Sequence, residues 1–212
     1  MQDKTSKFHL FPKWSGHQRR IGITGGIACG KSSVGNYLAK NKKLPIIDAD
    51  VFSKEILSPG TSSTAKIIKR YGDIIINNTT GAADTINRLA LRKIIFNNKT
   101  EKIWLEELIH PLIIKRINLE IEKLNLEPVI VMIIPLLFEL NLTELCSEIW
   151  LIECTLNQQI SRLMKRDKIN KEIAIKIIKS QISTHKKKKL VDIIIDNKKE
   201  PRLWVDQIDG LI

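Results

Sequence analysis

The residues from Ile21 to Ser33, IGITGGIACGKSS, combine types and spacing that fit binding of a polyphosphate. Four residues separate Gly25 from Gly30-Lys31-Ser32, the G-x-x-x-x-G-K-S pattern of a loop that follows a strand and opens a helix. Glycines let backbone N–H groups turn toward phosphate oxygens, and the helix beginning near Gly30 directs its positive end at the same charge. Gly25, Gly26, Ile27, Ala28, Cys29, Gly30, Lys31, Ser32 and Ser33 are therefore the expected ATP-binding set. Lys31 would reach the outer phosphates, and the Ser32 hydroxyl would ligate a bridging Mg2+. Ala28 stands where a third glycine could occur and is expected not to need a positive φ. Cys29, at a helix start beside a lysine, is expected either to have a lowered thiol pKa and react readily or to be an inert buried thiol.

A second group with chemical potential is Asp48-Ala49-Asp50, which follows the short apolar run Leu44–Ile47. In open parallel sheets ligands bind beyond the carboxyl ends of strands, so carboxylates placed there can serve the nucleotide. One is expected at the water shell of the metal, Asp48, and the other, Asp50, facing an acceptor hydroxyl. The competing role for Asp50 is to cap the helix expected over residues 51–57. Arg162 and Arg166 lie four apart on one helix face, suited to a lid that neutralises charge in the transition state, or simply to a solvated surface. Arg88, Arg92 and His110, the last read as a helix-end group before Pro111, also have ordinary structural explanations.

These residues need a scaffold, and hydrophobic periodicity supplies one. Strands are expected at residues 21–24, 44–47, 129–134, 149–152 and 192–196, with the continuous apolar character of buried parallel strands. A helix runs from the phosphate loop to about Lys40, another starts near Asn157, and one bearing Gln181 and the lysines at 186–189 follows. Pro201 lies near the first turn of a closing helix that ends at Leu211. Residues 58–128 are mostly helical, broken at Ser58-Pro59-Gly60, Tyr71-Gly72-Asp73 and the polar stretch 77–84. That length exceeds an ordinary crossover and suggests a helical insertion on the acceptor side. The reading is one α/β folding unit over residues 20–212, a three-layer αβα sandwich with a five-stranded parallel sheet and a lid over 157–189. Residues 1–19 form a loosely ordered extension without the apolar core of a signal peptide.

Composition narrows the function classes. The chain has 212 residues, a formal charge of +12 and 5% aromatic residues. Basic charge invites nucleic acid, but scarce aromatics leave few platforms for base stacking, so no nucleic-acid partner is expected. The three cysteines form no C-x-x-C pair and the histidines show no zinc spacing, which points to a reducing cytoplasm. The run at 129–138 contains Pro135 and is shorter than the roughly 20 residues a membrane helix takes. No acidic residue directly follows Ile134, which argues against a motor ATPase, and the two N-K-x-E segments lack a guanine-reading aspartate. A transferase remains, with a monomer as the default expectation.

TGGIACGKSS, IDAD, INRLAL, LIHP, PLLFE, QISRLMKRD, Gln181 and VDIIIDN occur in the order found in dephospho-coenzyme A kinases, and the chain resembles that family over residues 20–200. The resemblance implies a P-loop fold and transfer of the ATP γ-phosphoryl group to the ribose 3′-hydroxyl of dephospho-coenzyme A with Mg2+. It assigns Asp50 as base or orienter of that hydroxyl. Arg88, His110, Pro135, Leu136, Leu137, Phe138 and Glu139 would surround the acceptor, Arg162 and Arg166 would sit in the lid, and Asn197 near adenine. Two departures are Cys29, where the family often has serine, and Asn87, which replaces a common aspartate and leaves a helix-start contact open. Alternatives are another small-molecule P-loop kinase, of shikimate or nucleotide type, and a non-catalytic ATP-dependent nucleic-acid binder.

Overall fold

The computed structural model describes residues 13–76, 85–199 and 203–212. The polar stretch 77–84, the first twelve residues and Pro201 lie outside it. The chain divides into two compact units: one contains the residues up to Ile47 and from Leu124 onward, the other Asp48–Lys123. Most of the second unit falls in the stretch read as a helical insertion over residues 58–128.

The first unit is built on a sheet of five strands in the order β2-β3-β1-β4-β5, where β1 is Arg19–Thr24, β2 Ile46–Asp48, β3 Val129–Ile133, β4 Glu148–Glu153 and β5 Ile193–Asp196. β1 lies in the middle and runs parallel to both β3, with Ile21 opposite Val131, and β4, with Ile23 opposite Trp150. β5 runs parallel to β4. Side chains alternate across the sheet. Ile21, Ile23, Val131, Ile133, Trp150, Ile152 and Ile195 pack with Val34 and Leu38 of α1 (Lys31–Asn41) and with Trp204 and Ile208 of α9 (Leu203–Asp209). On the opposite parity Ile130, Met132, Ile149 and Leu151 are equally buried, as a parallel sheet covered on both faces requires.

After β4 come α6 (Leu156–Asp167), α7 (Lys171–Lys179) and α8 (Thr184–Lys188). Gln181 sits in the connection between α7 and α8, not on a helix as expected, because Ser180 ends α7 and Ser183 starts α8 with its own cap. α6 starts at a capping box in which Thr155 and Gln158 satisfy each other's backbone N–H. The T-x-x-Q pattern marks this start, slightly before the expected Asn157. The segment read as a loose extension is tied down over its described part. Trp14 N–H donates to Cys146 O, Lys13 pairs with Asp192, and the Arg20 guanidinium lies 3.5 Å over the Trp14 ring. β1 itself begins at Arg19, one residue before the expected domain start.

The second unit holds α2 (Ala49–Ile56), α3 (Ser62–Tyr71), a 3₁₀ turn over Gly72–Ile75, α4 (Arg88–Asn97) and α5 (Lys99–Lys123). α5 buries Leu105, Ile109, Ile113, Ile117 and Ile121, a stripe with a period of four that makes one apolar face. Asn87 resolves the open contact at the start of α4: its side chain accepts from Ala90 N–H and caps the helix. Among the described residues no helix is long and apolar enough to cross a membrane.

Within the sheet, a Cβ added at Gly22 would lie 2.5 Å from Cys146 Sγ and 3.2 Å from its Cβ. Gly22→Ala is expected to destabilise the protein by about 1–3 kcal/mol in urea unfolding, the usual cost of overpacking. Gly22→Ala/Cys146→Ala should recover part of that loss, so additive effects would contradict the contact.

Candidate active site

The strand that carries the loop is pinned on both sides by parallel neighbours, so its carboxyl end delivers Thr24 to a fixed point, and the chain must turn sharply to start α1. Gly25 at φ 149° and Gly30 at φ 106° make that turn. Each also leaves no room for a side chain: a Cβ on Gly25 would sit 2.6 Å from Ile152 O, and one on Gly30 2.4 Å from Asn197 Nδ2. Ala28 corrects the expectation, since its φ is 59°. The methyl group tolerates the left-handed region at a cost. It packs, with Ile27, on the apolar cluster of Ile160, Leu163, Ala174 and Ile177 from α6 and α7.

Lys31 is buried in the first turn of α1, and its ammonium lies across the loop, donating to Gly25 O and Gly26 O at 2.9 Å each. Ser32 and Ser33, beside it, are exposed. Asn197, at the end of β5, is buried and donates from Nδ2 to Cys29 O at 2.8 Å. Its amide therefore braces the loop backbone, a function its expected position near adenine did not suggest. Arg162 and Arg166 are exposed on α6, and Arg166 pairs with Asp167 at 2.8 Å.

Cys29 matches the second of its two readings, the buried thiol. It is 2% exposed, and burial raises its thiol pKa against the opposing charges of Lys31, Lys187 and Arg162. Desolvation outweighs the helix start and the cations because a thiolate here would have almost no water. Cys154, just past β4, is likewise pushed up, to about 11, chiefly by burial.

The PLLFE segment follows β3 as a tight turn. Pro135 O accepts from Thr24 Oγ1 at 3.3 Å and from Lys187 Nζ at 3.2 Å. Leu137 is fully buried and Phe138 is 7% exposed, so these two side chains of the expected acceptor-side segment pack in the core. Apolar character at the end of a central strand explains why. Leu136 and Glu139 are half-buried, and Glu139 Oε1 is 3.2 Å from Lys187 Nζ.

Lys187 escapes a reading of the sequence. It is wholly buried, and burial lowers its pKa while Glu139 opposes that shift. Nothing in a run of four lysines marks one as internal unless the helix start at Ser183 is fixed first. The adjacent Lys188 reaches Glu153 at 2.5 Å, and Lys198 reaches the same carboxylate at 2.6 Å. Burial works to raise the Glu153 pKa, but the two ammonium groups outweigh it and hold the carboxyl below its ordinary range. That contribution to stability is present above pH 4.5 and fades as pH falls through the lowered pKa.

Asp48, Asp50, Arg88 and His110 belong to the second unit. The strand ends at Asp48 and α2 begins at Ala49, so Asp48, and not Asp50, is the helix cap, accepting from Asp50 N–H at 2.9 Å. A continued strand would have put both carboxylates on one face, whereas the helix separates them. Burial raises the Asp48 pKa, with the N–H groups of Asp50 and Val51 acting the other way. Asp50 is exposed in the first turn of α2. Arg88 is the first residue of α4 and donates to Lys54 O at 3.2 Å. His110 sits in the middle of α5 and not at a helix end, because Pro111 is accommodated inside the helix. Burial lowers the His110 pKa.

The family model for dephospho-CoA kinase matches residues 19–202. Similar curated proteins include a dephospho-CoA kinase from a strain of Prochlorococcus marinus, 50% identical over 209 residues, which are 99% of this chain and 100% of that one. One from Trichormus variabilis is 40% identical over 192 residues, 91% of this chain and 95% of that one. Among solved structures, dephospho-CoA kinase from Campylobacter jejuni matches with a TM-score of 0.59 and 27% identity, covering 92% of this chain and 98% of that one. TT1252 from Thermus thermophilus matches with a TM-score of 0.75 at 21% identity, covering 92% and 97%, a likeness of fold.

The burial of Cys29 generates a test. At pH 7–8 in the native protein, all three cysteines should resist a thiol-directed reagent, and all three should react in denaturant. Rapid native labelling of Cys29, blocked by Mg-ATP, would show that its helix start and cations govern its reactivity after all.

Proposed function

The chain belongs to the dephospho-CoA kinase family, and from that premise we infer that it transfers the γ-phosphoryl group of ATP to the ribose 3′-hydroxyl of dephospho-coenzyme A, giving coenzyme A and ADP. The observation that carries this reading is the loop of Gly25–Ser33, turned by Gly25, Ala28 and Gly30 around the Lys31 ammonium at the end of the central strand.

Phosphoryl transfer needs little covalent help from protein, so positioning and charge do most of the work. The loop N–H groups and Lys31 hold the phosphates, and Arg162 and Arg166 meet charge that grows on the moving phosphoryl group. Asp50 orients the acceptor hydroxyl and takes its proton late, while Asp48 serves the water shell of the metal. Arg88, His110, Pro135, Leu136, Leu137, Phe138 and Glu139 are the acceptor-side residues of this proposal.

Among the described residues no group of three or more His, Cys, Asp or Glu gathers to hold a metal. The chain offers instead the exposed Ser32 hydroxyl in the first turn of α1. That hard oxygen donor suits Mg2+, which is usually held by few protein ligands together with phosphates and water. Held there, Mg2+ would supply positive charge that offsets the charge of the phosphates.

ADP release should require dephospho-coenzyme A and should not be supported by shikimate or nucleoside monophosphates. Release independent of acceptor, or supported equally by another alcohol, would overturn the assignment. Lys31→Ala should abolish turnover in a folded protein. Asp50→Asn should lower kcat by about 10² to 10⁴ with little change in Mg-ATP affinity. Retention of more than roughly a tenth of wild-type turnover would remove Asp50 from the role of base.

A further inference from the structure

Ile27, at the tip of the phosphate loop, has both of its main-chain polar groups taken by side-chain amides from two different segments. Its N–H donates to Gln181 Oε1 at 2.8 Å, and its carbonyl accepts from Gln159 Nε2 at 2.9 Å. Gln159 is 6% exposed on α6, and Gln181 lies in the connection between α7 and α8. Neither belongs to the phosphate-binding motif.

Gly26 adjoins the same contact: it has no left-handed φ, and a Cβ built on it would meet the far end of the Gln159 side chain, Nε2, at 2.2 Å, so the amide lies directly against the loop backbone. Around the two amides, Ile27 and Ala28 pack on Ile160, Leu163, Ala174 and Ile177, so the polar clasp sits in an apolar seat. Arg162 follows Gln159 by three residues and shares its side of α6. The Arg162 charge is felt at Cys29, inside the loop.

We propose that Gln159 and Gln181 are positioning residues that clasp the loop at Ile27, register α6 against it and thereby hold Arg162 over the bound phosphates. The polarity is fixed by the backbone: a carbonyl can only accept, so Gln159 must donate, and an N–H can only donate, so Gln181 must accept. The kinetic consequence rests on the kinase activity proposed above, whereas the protection of the Ile27 amide does not.

Two measurements test the clasp in the full chain, with thermal midpoints recorded for each variant. Hydrogen–deuterium exchange of the Ile27 amide should rise in Gln181→Ala, and unchanged exchange would overturn the proposal. This arm is decisive even if dephospho-coenzyme A proves not to be the acceptor. In steady-state kinetics, Gln159→Ala should lower kcat about 10- to 100-fold, the scale of a small misplacement of a charged group. In an Arg162→Ala background the same change should cost no more than about twofold. Equal losses in both backgrounds would mean that the clasp does not act through Arg162. The glutamate variants supply a check that survives poor folding of the alanine variants. Both add the same negative charge near the phosphates, but Gln181→Glu keeps its acceptor whereas Gln159→Glu loses its donor. Gln159→Glu should therefore have the lower kcat, by about 10-fold, since a carboxylate is left facing a carbonyl. Equal values, or the reverse order, would reject the assigned polarity.

Discussion

An ammonium group with no access to water must be met by charge and by hydrogen-bond acceptors from the protein, or it will not stay charged. Lys187 imposes that demand at the carboxyl ends of the central strands. Glu139 and Pro135 O meet it, which fixes the turn after β3, and Pro135 O is also the acceptor for Thr24, the residue that leads into the phosphate loop. Lys188, which is partly exposed, pairs in turn with the more buried Glu153 at the end of β4. Two consecutive lysines of one short helix thus bind the strands on either side of β1. The loop is framed by these pairs before any nucleotide arrives.

The balance of charge in this region separates two kinds of group. Carboxylates are placed where ammonium groups can outweigh burial, as at Glu153. Thiols are not: burial pushes the Cys29 and Cys154 thiols up in spite of nearby cations, and at Cys29 in spite of a backbone hydrogen bond as well. The same field that would favour a phosphate is therefore unable to make a nucleophile of a buried sulfur.

Much of this is legible in the sequence, and the reasons it is legible are local. The phosphate loop is contiguous, its spacing is dictated by backbone geometry, and the buried strands announce themselves by unbroken apolar runs. What cannot be read depends on contacts between distant residues. Lys187 looks like its three neighbours until the cap at Ser183 sets which face of α8 turns inward. Gln159 gives no pattern at all, since its partner is a carbonyl more than a hundred residues away in the chain. The burial of Leu137 and Phe138 is hidden because an apolar motif reads the same whether it lines a cleft or fills a core. The Asp48–Asp50 pair reads as the end of a strand, but the cap that Asp48 provides starts a helix one residue later. His110 reads as a helix end because a proline follows it, yet Pro111 is taken into α5 without ending it.

Ala28 carries a consequence that concerns the unfolded chain. Held at φ 59°, it occupies a region that glycine would enter without penalty, and its methyl group packs, with Ile27, on the cluster of α6 and α7. Alanine samples far fewer backbone states than glycine before folding, so it has less freedom to lose when the loop forms. The local strain and the smaller entropic loss act in opposite directions. A loop built this way is costly to bend into shape but has few other shapes to adopt, and it presents its N–H groups to phosphate with little ordering left to be done at the moment of binding.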